Sequence, residues 1–148
     1  MACTGALKAD YTVERTGVVV LDATQSPPKE VERFDVVSKL GTGPSPSITF
    51  AGETLLMGTT YGDGAEQNDH AYTIDLSTGA VESVFDGGAS YVLGDVRCLP
   101  GCGDRCFLAD AQAGVVQVWT VQGTRLGEPE ALRVNAKLGL PPRGLGEL

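Results

Sequence analysis

"HAYTIDLSTGAVESVFD", His70 to Asp86, is the stretch from which the fold can be read. A β-rich run, His70 to Asp75, meets a polar turn at Leu76 to Gly79. A second strand-like run, Ala80 to Asp86, then returns. Two short apolar runs joined by a Gly-containing turn read as a β-hairpin. The pattern occurs twice more. "GVVVLDATQ" (Gly17 to Gln25) is followed by "VERFDVV", and "GVVQVWTVQG" (Gly114 to Gly123) by "PEALRV". Leu21, Ile74 and Val118 take equivalent places, 53 and 44 residues apart. On that alignment Trp119 stands where the other copies have Asp22 and Asp75.

A second set of runs lies outside these hairpins. "GPSPSITFAG" (Gly43 to Gly52), "VLGDVRCLPG" (Val92 to Gly101) and "LPPRGLGEL" (Leu140 to Leu148) superimpose, with Ile48, Val96 and Leu145 in register about 48 residues apart. "ETLLMGTT" follows the first and "DRCFLADA" the second. The unit is therefore four short antiparallel strands. Complete copies span about 45–86 and 94–134. An incomplete copy spans 17–37, with a ragged extra strand in "ALKADYTV", and a lone opening strand spans 140–148. Residues 1–16 read as a tail. "EPEALRVNAKLG" has an alternative helical pattern, but its alignment with the other closing strands favours a strand. All-β units of four strands at a period of 40 to 50 residues are the mark of a β-propeller. The expected fold is a partial one, with about two complete blades and parts of others.

"AYTIDLSTGAVESVFDGG" resembles the repeat of YVTN-type propellers, and "GPSPSITFAGETLLMGTT" and "PPRGLGEL" resemble the entry strands of the same and of the related NHL repeats. The resemblance covers roughly Gly17 to Leu148. Its motif residues form turns and packing, so it implies a fold and almost nothing about chemistry. A propeller of this kind needs four to eight blades to close. An unclosed arc exposes apolar faces and sheet edges, which forfeits on the order of 10 kcal/mol. The expected partners are thus the remaining blades of a longer chain or a second copy, with "LPPRGLGEL" completing a neighbour's blade.

The 148 residues suffice for one domain with a core, and 20 Gly and 8 Pro imply many turns. A formal net charge of −8 gives no electrostatic footprint for nucleic acid or an anionic membrane. No apolar run reaches the ~18 residues of a transmembrane helix. "MACTG" resembles the junction at which a bacterial lipoprotein is cut and acylated, which would make Cys3 a lipidation site and the location the bacterial envelope or the exterior.

In "CLPGCGDRC", Cys98 and Cys106 sit symmetrically about a hairpin turn and would face each other as a disulfide, with Cys102 as an alternative partner for either. C-x2-C metal spacing is missing. The long connection "YGDGAEQNDH", Tyr61 to His70, lies where propellers usually bind ligands. Asp63, Glu66, Asn68 and Asp69 could offer oxygens to Ca2+, yet they lack the D-x-[DN]-x-[DN]-G spacing, and a solvated acidic loop is expected. The single His, His70, excludes a multi-His centre within one chain. Asp110 and Arg143 are candidates for the same loop surface. Tyr61, Asp63, Asp69, His70, Asp110 and Arg143 form the candidate ligand-binding set. No catalytic residue, resident metal or cofactor is expected. The expectation is a non-enzymatic scaffold that presents loops to a protein or small ligand. The alternative is a propeller-type metal-dependent hydrolase or lactonase with its site in other blades.

Overall fold

The computed structural model describes residues 16–62, 67–99, 104–133 and 144–145, and the backbone of 2–3, 6–7 and 13–14. In chain order the strands begin with β1 (Ala2–Cys3), β2 (Ala6–Leu7), β3 (Val13–Glu14), β4 (Gly17–Asp22) and β5 (Lys29–Phe34). A one-turn helix, α1 (Val37–Leu40), precedes β6 (Gly43–Phe50), β7 (Leu55–Tyr61), β8 (His70–Asp75) and β9 (Ala80–Asp86). The chain continues through β10 (Leu93–Leu99), β11 (Arg105–Asp110), β12 (Val115–Gln122), β13 (Arg125–Leu126) and β14 (Glu130–Arg133). The fold is all-β, and its ladders are antiparallel.

The central sheet is a meander in the order β6-β7-β8-β9. The C-terminal sheet repeats it as β10-β11-β12, closed by β14 along the first half of β12 and by the short β13 along the end. "EPEALR" thus supplies a strand and not a helix. The N-terminal sheet is β1-β4-β5. Its extra strand is not "ALKADYTV". Ala2–Cys3 pairs with Gly17 and Val18, while Ala6–Leu7 turns back on Val13–Glu14 as a separate ladder. The sheet therefore draws on the segment read as a tail.

The three sheets stack face to face because strand side chains alternate with a period of two. From β7 and β8, Leu56, Tyr72 and Ile74 pack on Val18, Phe34 and Val36 of the N-terminal unit. Met57 and Ala71 point the other way, against Leu93, Val96, Cys106, Leu108 and Trp119. Burial on both faces explains why "LLMGTT" is a continuous buried run without alternation. Tyr72 lies across Gly58, its partner on the neighbouring strand. A Cβ there would sit 2.6 Å from the Tyr72 hydroxyl oxygen, so the aromatic ring occupies the space a side chain would need.

Consecutive opening strands are joined by side chain to backbone hydrogen bonds. Val96 N–H donates to Ser47 Oγ (2.9 Å), and Cys98 N–H donates to Thr49 Oγ1 (3.2 Å). The contact recurs where Leu145 N–H donates to Asp95 Oδ2 (3.3 Å); of the expected strand at 140–148 only residues 144–145 are described, and they belong to no strand. Ser47 immediately precedes Ile48 and Asp95 precedes Val96, so the alignment of Ile48, Val96 and Leu145 reappears as a repeated contact.

The third hairpin is shifted by one residue from its sequence alignment. Leu55 opposes Asp75 in the central sheet, and Arg105 opposes Thr120 in the C-terminal sheet. The turn bonds agree, since Leu76 N–H reaches Thr54 O and Val121 N–H reaches Asp104 O. Thr120, not Trp119, therefore takes the place of Asp75. Trp119 occupies the buried place of Ile74, where it packs edge-on against Phe85 with ring centroids 6.0 Å apart. An apolar groove of about 320 Å3 runs between β4 and β6, lined by Val18, Leu21, Ile48, Phe50 and Leu76 among others. Among the described residues no helix is long and apolar enough to cross a membrane.

Candidate functional site

Antiparallel meanders bring alternate strand ends to one side. Tyr61 closes β7, His70 opens β8, Leu93 opens β10 and Asp110 closes β11, so these residues share one end of the sheets. Asp69 sits at the centre of that end and is fully buried. Its Oδ1 accepts the Gly62 N–H (2.8 Å), and its Oδ2 accepts the Val92 N–H (2.7 Å) and the Leu93 N–H (3.0 Å). Its own N–H donates to Ala89 O, and its carbonyl accepts the Gly87 N–H, both at 2.9 Å. A buried carboxylate is tolerable only when such donors replace its water. Both oxygens are engaged, and the residue ties the connection after β7 to the connection before β10.

The consequence falls on the residues next door. Gly62 follows Tyr61, and Val92 follows Tyr91, so a single carboxylate holds the backbone beside both tyrosines. Their rings lie 6.2 Å apart at 33°. Tyr61 is 42% exposed and Tyr91 57%, so both present apolar area to solvent. Tyr91 has φ of 58°, in the left-handed region that ordinary side chains avoid. Gly62 is required by close approach, because a Cβ would lie 2.0 Å from Gln67 O. Ser90 Oγ donates to that same carbonyl and fastens the two loops a second time.

The other candidates are engaged locally. His70 is half-buried, its N–H donates to Thr60 Oγ1 (2.8 Å), and its Nδ1 lies 3.2 Å from Ser83 Oγ on the exposed side of edge strand β9. Asp110 is buried; its Oδ1 accepts the Ala113 N–H (2.9 Å) and its Oδ2 the Gln117 side-chain amide (3.0 Å). The Ala111 N–H reaches Val92 O, so the Asp110 turn abuts the Tyr91 loop. Asp63, Arg143 and Cys102 lie outside the described residues, and of Cys3 only the backbone is described, in β1. Cys98 and Cys106 oppose each other across β10 and β11, and a disulfide joins them near the opposite end of the sheet. Among the described residues no group of three or more His, Cys, Asp or Glu side chains is placed to hold a metal ion.

Tyr61, Asp69, His70 and Asp110 thus converge on one end of the sheets. Tyr91 was missing from the sequence-derived set. The only signal for it was a bulky aromatic in the glycine-rich turn "DGGASYVLG". What the arrangement does is hold two partly exposed tyrosine side chains beside each other at that end. The chain matches no family model, no curated protein and no solved structure.

Proposed function

We propose that the chain is part of a β-propeller of the YVTN/NHL-like kind, working as a non-enzymatic binding scaffold of a bacterial envelope or secreted protein. The observation that carries this reading is the bond that recurs at aligned positions of the repeat, Ser47 to Val96 and then Asp95 to Leu145. Radial repetition predicts that each innermost strand contacts the next in the same way. Two meander sheets that bring alternate connections to one end support it, since such ends present loops to ligands. The Cys98–Cys106 disulfide suits an oxidising compartment, and lipidation at Cys3 would hold the module at a membrane surface. The scaffold role is supported by the use of Asp69 and Asp110 to pin backbone. A carboxylate already bound by N–H donors is poorly placed to ligate an ion or move a proton.

Metal content and a Ca2+ thermal shift separate this reading from a metal-dependent hydrolase. The expected result is no stoichiometric ion and no shift of melting temperature with Ca2+. A tightly held equivalent of metal, lost together with stability on chelation, would sink the scaffold reading.

A further inference from the structure

We draw no further inference here: the strongest candidate, the apolar groove between β4 and β6 lined by Leu21, Ile48 and Phe50, is an open sheet face, and nothing in the structure shows what covers it.

Discussion

The Tyr72 hydroxyl is buried above Gly58, and among the described residues it has no hydrogen-bond partner. Burial pushes its ionisation well above the usual phenol range. An unsatisfied buried polar group costs about 1–3 kcal/mol, whereas the ring itself fills the space over Gly58. Tyr72→Phe is therefore expected to raise stability by about 1 kcal/mol in urea denaturation, with a loss of similar size counting against this account. Two exposed carboxylates behave in the opposite sense. The Thr24 hydroxyl, then its N–H, holds Asp22 below the ordinary carboxylate value, and the Ser77 hydroxyl and N–H do the same for Asp75. Each folded-state pKa is lower than the unfolded one, so between the two the unfolded chain binds more protons. Their contribution to stability is complete above an ordinary value of 3.8 and is lost as pH falls through the folded pKa. Carbon-13 titration should find both midpoints below 3.8, with Ser77→Ala returning Asp75 toward it. The turn after Asp75 was legible in "IDLSTG". Nothing local marks Asp69 as buried, because its donors at Val92 and Leu93 lie 23 and 24 residues away.

Among the elements, the hairpin of β10 and β11 illustrates what periodicity can and cannot specify. Cys98 opposes Cys106 because both strands leave one turn symmetrically, and their sulfurs are bonded beside Trp119 in the core. Cross-linking residues 8 apart constrains the unfolded chain by about 2–3 kcal/mol. The Cys98→Ala/Cys106→Ala variant is expected to lose at least that much in guanidinium unfolding, and equal stability would make the bridge dispensable. The place of Trp119 was misread by one residue. A run such as "VVQVWTVQ" is apolar at nearly every position, so alternation does not fix which side chain faces the core. The ladder with β11 decides, and it places Trp119 opposite buried Cys106.

At the scale of the whole molecule, the sheets stack with the central one covered on both faces. The outer face of the arrangement is less complete. β1 is registered with only Gly17 and Val18 of β4, and the groove beyond it leaves Leu21 37% and Phe50 59% exposed. Exposed apolar grooves next to strand edges promote association. Light scattering over a range of concentrations should show a mass that rises above the monomer, and Leu21→Ser with Phe50→Ser should suppress the rise. A wild type that stays a monodisperse monomer would count against an unclosed arc of blades.

The all-β class and the strand runs of the central and C-terminal sheets were determined by the sequence itself. Period-two runs, β-branched residues and Gly or Asp turns act over a few neighbours, and those interactions are written locally. The equivalence of the opening strands Gly43–Phe50 and Leu93–Leu99 was also legible, since their alignment repeats at nearly constant spacing. Only the tertiary structure decided the register of Trp119, the N-terminal ladder of β1 on β4, the burial of Asp69 and the meeting of Tyr61 with Tyr91. Each depends on residues distant in the chain whose approach is governed by how sheets pack, and packing is a property of faces, not of any one segment.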